Sequence, residues 1–200
     1  MSSHKILAGH DARVDLRGAR LLGLPYDFNL LVSHQWSDYY VASQEIRSLL
    51  SEFGDSKPLI RRTAARGLAG VKTSLDSRQV IGLLREKYST DIVAINYTLK
   101  WIPLDLWCDS NSLESMKEGL ANLADRISKD EKWMMHVEKR RYSTLHKSEL
   151  IKELADVFAQ KVDLHNPDKI VWIEIIGKEV GISILQPSEI FSLFKAAEGE

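Results

Sequence analysis

Two stretches of this sequence carry several cations with no carboxylate among them. Lys57, Arg61, Arg62, Arg66 and Lys72 form the first; Lys139, Arg140, Arg141, His146 and Lys147 form the second, between Glu138 and Glu149. Arginine offers a planar fork of N–H donors that matches phosphate oxygens, and lysine adds a mobile point charge, so both stretches suit a polyanion backbone. Tyr142, next to the second stretch, is a ring on which a base can stack. The chain as a whole is nearly neutral, with 27 Lys and Arg against 28 Asp and Glu. Polyanion binding must therefore come from segregated charge rather than a general positive field. The competing reading is solvated surface, each cluster paired with acids from elsewhere in the fold.

Other chemistries find less support. His136 and Glu138 make half of a zinc-deaminase signature, but the single cysteine, Cys108, cannot supply the paired cysteines of the other half. Gly67, Gly70, Lys72 and Thr73 echo a phosphate-cradling loop, yet Val71 breaks the Gly-Lys-Thr adjacency such a loop needs. The histidines at 4, 10, 34, 136, 146 and 165 form no i, i+4 ligand pair. No nucleophile elbow or dinucleotide fingerprint is present. Cys108 reads as a packed thiol, and neither cofactor nor metal nor catalytic residue is expected. One cysteine also excludes an internal disulfide, and no apolar run is long enough to cross a bilayer. The expected setting is cytoplasmic, with no membrane partner.

The elements that must position these cations follow from periodicity. Residues 1–25 show no sustained pattern and read as a leader. Phe28 to Val32 is a short apolar strand, and Asp38 can cap a helix carrying Val41, Ile46, Leu49, Leu50 and Phe53 up to Gly54. Leu59-Ile60 and Val71 to Thr73 make a hairpin that turns within Gly67 to Gly70, and Asp76 with Gln79 opens a second helix. Alternation at Val93, Ile95, Tyr97, Leu99 and Trp101 predicts a strand. The order strand, helix, strand, strand, helix, strand over 26–104 is that of a ferredoxin-like domain. The second unit, 105–187, reads as a helix headed by Asn111, a strand from Trp133 to Val137 running into the basic cluster, a helix over Leu150 to Val162 and a hairpin around Gly177-Lys178-Glu179. A short helix and tail occupy 188–200. The fold class is α+β.

Glu138-Lys139-Arg140-Arg141 at a strand end, Val162-Asp163-Leu164, Asn166-Pro167-Asp168, and Gly181-Ile182-Ser183-Ile184-Leu185 in the second strand of a hairpin together form a motif set. This set resembles a THUMP domain, the RNA-binding module of tRNA-modifying proteins. The resemblance extends over residues 90 to 187, and more weakly over 26 to 90, where THUMP proteins often carry a ferredoxin-like companion. It implies an α/β THUMP domain after the ferredoxin-like one. THUMP modules are commonly fused to a thiouridine synthetase, methyltransferase or deaminase domain, whereas this chain ends at Glu200. That architecture is most similar to the tRNA-acetylation adaptor family. The resemblance therefore implies a noncatalytic protein that grips the tRNA acceptor end and presents it to a modifying enzyme, a cytidine acetyltransferase. It carries Lys139, Arg140 and Arg141 over as RNA-binding residues. Arg61, Arg62, Arg66, Lys72, Lys147 and Lys178 join them on charge alone, and the Asn-Pro-Asp segment reads as a turn. Two rivals stay open: an enzyme acting on RNA or nucleotides through a site no local motif reveals, and a protein-interaction scaffold.

Overall fold

In the computed structural model, residues 26–35 and 37–198 are described; the expected leader lies outside them. The first unit runs β1 (Leu30–His34), α1 (Tyr39–Glu52), β2 (Leu59–Arg62), β3 (Leu68–Lys72), α2 (Ser77–Thr90) and β4 (Thr98–Pro103). The second runs β5 (Leu106–Asp109), α3 (Leu113–Ala121), β6 (Trp133–Arg140), α4 (Lys147–Ala155), β7 (Lys169–Ile176) and β8 (Glu179–Leu185), followed by β9 (Phe191–Ser192) and α5 (Leu193–Glu198). The first sheet has the order β2-β3-β1-β4-β9, and every pairing in it is antiparallel. Its first four strands and two helices have the ferredoxin-like arrangement the sequence predicts. The second sheet, β5-β8-β7-β6, contains one parallel pair, β6 with β7.

Local chemistry explains most boundaries. The Asp76 carboxylate accepts the backbone N–H groups of Arg78 and Gln79, which starts α2. Gly54, at φ +113°, lets the chain leave α1. Asp38 precedes α1, but its carboxylate takes the Ser37 hydroxyl instead of capping the helix. The α3 cap is Ser112, whose hydroxyl accepts the Ser115 N–H, and not the neighbouring Asn111. The expected turn within 67–70 also shifts. Thr63 to Gly67 forms it, with Gly67 at φ +73°, while Gly70 lies inside β3 beneath the Phe28 ring, where a Cβ would sit 2.2 Å from that ring.

The strand predicted from Val93 begins only at Thr98. On α1, the Glu45 carboxylate accepts the backbone N–H groups of Asn96 (2.8 Å), Tyr97 (3.0 Å) and Thr98 (2.8 Å), so these donors go to a side chain instead of to a ladder. Ile92 and Val93 are consequently exposed, while Ile95 and Trp101 are buried. In the second unit β6 continues through Arg140, and α4 ends at Ala155, short of Val162.

Each sheet packs its helices on one face. Leu30, Val32, Ala69, Val71 and Trp101 meet Ile46, Leu50, Val80 and Leu84 in the first core; Val137, Ile173, Ile182 and Trp133 meet Met116, Leu120, Leu150 and Leu154 in the second. The helix-free faces then meet each other. Leu31, Leu68 and Leu104 pack on Ile176, and Ile102 packs on Trp172 and Leu185. This seam is reinforced by Asp105, whose side chain is 4% exposed. Asp105 pairs with Arg78 of α2 at 2.9 Å and with Arg126 of the second unit at 2.7 Å, and accepts the Ser183 hydroxyl and the Ile184 N–H. Arg85 adds bonds from α2 to the carbonyls of Ser188 and Ile190. The two units are thereby fixed against each other, and the orientation of their cations is a property of the fold.

Candidate nucleic-acid interface

Strand alternation divides the first basic stretch. Arg61 lies opposite Gly70 and Arg62 opposite Ala69, so consecutive arginines on the edge strand β2 point to opposite faces. Arg62 goes to the helix side, where its guanidinium stacks 3.9 Å above the centroid of the Tyr39 ring and 5.1 Å from that of Tyr40. Arg61 and Lys72 go to the other face. Lys72 donates to the Asp27 carbonyl and lies 4.0 Å from the Asp27 carboxylate. Arg66 is exposed in the β2–β3 turn.

The second stretch divides too. Along β6, His136, Glu138 and Arg140 share the helix-free face, and Lys139 turns to the opposite side. There its ammonium donates to the Leu145 carbonyl and sits 5.5 Å from the Tyr142 ring, which itself packs against the second core. Arg140 donates at 2.6 Å to Glu174, which is 1% exposed. Arg140 is therefore a partner of a buried acid and not a free surface cation. Arg141 ends the strand at φ +58° and donates to the Ala64 carbonyl at 3.1 Å, in the β2–β3 turn of the other unit. This contact joins the two stretches. Gly177 donates to the Arg140 carbonyl, so exposed Lys178, in the β7–β8 turn, stands at the same end of the sheet. Lys147, exposed at the start of α4, acts electrostatically on His136.

Alongside β6 the seam is charged instead of apolar. His136 stacks on Trp172 with centroids 3.9 Å apart and bonds Glu138 at 2.9 Å; Lys100 of β4 lies 5.5 Å above the same Trp172. Burial lowers the His136 pKa, and Lys147 and Lys100 reinforce this against the opposing pull of Glu138. Burial raises the Glu174 pKa with help from Glu138, and the two bonds Glu174 accepts, from Arg140 and Trp172, do not offset it. Periodicity gave no reason to single out Lys100, Tyr39 or Tyr40. Two adjacent tyrosines at a helix start, outside the apolar stripe of α1, were the available signal.

The remaining sequence candidates have structural roles. The Cys108 thiol is pushed up to about 11 by burial, opposed by a bond with Ser115, and is protonated near neutral pH. Among the described residues no three His, Cys, Asp or Glu side chains gather as metal ligands, and no helix is long and apolar enough to cross a membrane. Asp163 accepts the N–H groups of His165 and Asn166, and Asp168 that of Lys132, which ties the Asn-Pro-Asp turn to the start of β6. That is the end of the sheet away from Arg140 and Arg141.

A ferredoxin-like unit and a mixed α/β unit joined through their helix-free faces, with cations at the joint, make an α+β protein of two sheets. Residues 110–185 match the family model of the THUMP domain, so the second unit contains a THUMP domain, which implies RNA binding. Among solved structures the chain is similar to PH1313 from Pyrococcus horikoshii Ot3, at 16% identity and a TM-score of 0.55, over 78% of this chain and 54% of that one. It is also similar to TrmN from Thermus thermophilus (10% identity, TM-score 0.52, 80% of this chain and 46% of that one). A possible methylase from Clostridium difficile 630 gives 12% identity and a TM-score of 0.52, over 78% of this chain and 40% of that one. These likenesses concern the fold, and this chain spans about half the length of the structures it matches. No curated protein matches it.

Proposed function

We propose that this protein is a noncatalytic tRNA-binding adaptor that presents the acceptor end of tRNA to a separate modifying enzyme, a cytidine acetyltransferase. The observation that carries the reading is the Arg141–Ala64 contact, which brings one motif cation of the THUMP domain beside the Thr63–Gly67 turn of the ferredoxin-like unit, next to Arg62 and Arg66. The interface runs from Arg62 and Arg66 through Arg141 to Lys178, and from Arg141 along β6 to Lys147 and Lys100. Lys139, Arg61 and Lys72 flank it. Arg140 contributes by orienting the end of β6 against Glu174. Duplex RNA is held in this reading by shape and phosphate contacts, since A-form grooves expose little sequence to side chains.

Each phosphate neutralised releases counterions, so affinity for tRNA falls steeply as salt rises. Filter binding of purified protein to total tRNA across a salt series tests the RNA role; salt-insensitive binding, or none at low salt, defeats it. The adaptor role is tested by nucleoside mass analysis after incubation of tRNA with an acetyltransferase and acetyl donor, with and without this chain. Modified nucleoside should increase when the chain is added. Product formed by this chain and donor alone would make it an enzyme.

A further inference from the structure

Beside the joint lies a cleft of about 170 Å³ between His34 and Tyr39 on one side and the β2–β3 turn on the other, lined also by Arg62, Thr63, Arg66 and Gly67, among others. It lies wholly outside the residues matched to the THUMP domain. Its volume is below the roughly 300–1,000 Å³ of a drug-sized ligand pocket, so it suits one phosphate or one ring and not a whole small-molecule substrate. Tyr40 does not line the cleft and is 72% exposed, but its ring makes an edge contact with lining Tyr39 (centroids 5.6 Å apart) and shares the guanidinium of lining Arg62 with that ring. A large exposed aromatic held in a cationic cluster contributes little to the core it does not enter. Stacked on Tyr39, Arg62 uses its π face and leaves its N–H edges directed along the guanidinium plane, and no carboxylate of the described residues forms an ion pair with it. Arg47 contributes further positive potential at Tyr39. The nearest acid in sequence, Asp38, accepts the Ser37 hydroxyl.

We propose that this cleft is a subsite for one unpaired nucleotide of the bound RNA, its base stacked on the exposed face of Tyr40 and its phosphate on the N–H edge of Arg62 with Arg66 alongside. The inference rests on the RNA-binding reading and extends it, because a stacking ring selects a single-stranded segment where a row of cations accepts any duplex. The flanking duplex lies along Arg141 and β6, and the chain reads the junction between paired and unpaired RNA. The His34 ring is 5.7 Å from that of Tyr39 and its Nδ1 lies 2.7 Å from the Gln35 carbonyl oxygen, so it forms a fixed wall of the cleft.

The test compares a blunt RNA hairpin with the same hairpin carrying a short single-stranded extension, bound by fluorescence anisotropy to the full chain and to Tyr40→Ala and Tyr40→Phe. The extension should tighten binding to the unaltered chain about tenfold, the scale of stacking one base. Tyr40→Ala should abolish that gain and leave blunt-hairpin affinity unchanged, and Tyr40→Phe, which keeps the ring, should restore it. Tyr40 is exposed, so the melting temperatures of both variants should match the parent. Equal affinity for the two hairpins, or an equal loss on both in Tyr40→Ala, overturns the subsite while leaving RNA binding in place. Failure to bind either hairpin overturns the RNA-binding reading and the subsite with it.

Discussion

Two buried carboxylates lie on the seam between the domains, and their surroundings push them in opposite directions. Asp105 is opposed by burial, yet Arg78, the Ile184 N–H, the Ser183 hydroxyl and Arg126 together hold its pKa below the ordinary carboxylate value. Glu174 is buried as deeply but has Arg140 and a long bond from Trp172 at 3.4 Å, with Glu138 adding repulsion, and its pKa is raised. Burial alone therefore does not decide ionisation; the number and charge of the donors does. The Asp105 side of the seam is saturated and acts as a clamp. The Glu174 side has one cation, Arg140, and one long neutral donor, which leaves its carboxylate short of partners.

The largest effect is expected at the clamp. Asp105→Asn should cost about 2–4 kcal/mol at neutral pH, because two arginines and two neutral donors lose a buried ionised acceptor. With its folded pKa below the unfolded one, Asp105 contributes stability that is fully present above the ordinary carboxylate pKa of about 4 and is lost as pH falls through the folded value. Urea unfolding of parent and variant should therefore converge in strong acid, and a constant difference down to that pH would contradict the assignment.

Glu174→Gln should behave oppositely. Its raised folded pKa means that the native state loses stability as pH rises from the ordinary value through the folded one, so the glutamine variant should gain on the parent over that window. Because Arg140 orients the end of β6 through Glu174, the variant should also bind tRNA more weakly, with the salt dependence unchanged. Tighter binding with a steeper salt dependence would show that Arg140, once released, meets phosphate directly.

Arg141 offers a finer separation of binding from folding. Arg141→Gly should be about 1 kcal/mol more stable than Arg141→Ala, because glycine tolerates φ +58° without a Cβ penalty, while both variants lose about fivefold in tRNA affinity. Thermal melts and filter binding read the two quantities independently. The smallest effect is expected at exposed Lys147, where substitution by alanine should weaken binding about twofold and move stability by no more than about 0.5 kcal/mol.

Much of this fold was legible in the order of its apolar patterns, because the helix stripes, the Asp76 cap and the strand–helix–strand–strand–helix–strand sequence are local signals. What escaped was non-local. The alternation at 93–97 was overridden by Glu45, fifty-one residues before Asn96. Leu106 to Asp109 does not look like a strand until β8 is beside it, and the two residues of β9 are too few to carry a period. The basic stretches were legible as charge, but not their division between faces. Arg61 and Arg62 part because successive side chains on β2 point to opposite faces, and Arg140 is claimed by an acid thirty-four residues away. Lys100 was hidden because its relevance comes from Trp172, on the other sheet.

The return of β9 to the first sheet has a further consequence for how the protein is made. Phe191 is wholly buried among residues of the ferredoxin-like core and lies against Tyr88, while Leu193 and Ala196 pack beside it. The unit synthesised first thus waits until the whole second unit has followed it before the outer edge of β4, which pairs with β1 on its other side, is covered. Until then the outer side of β4 presents an open ladder to any passing strand, and that edge closes only after the second unit has been made.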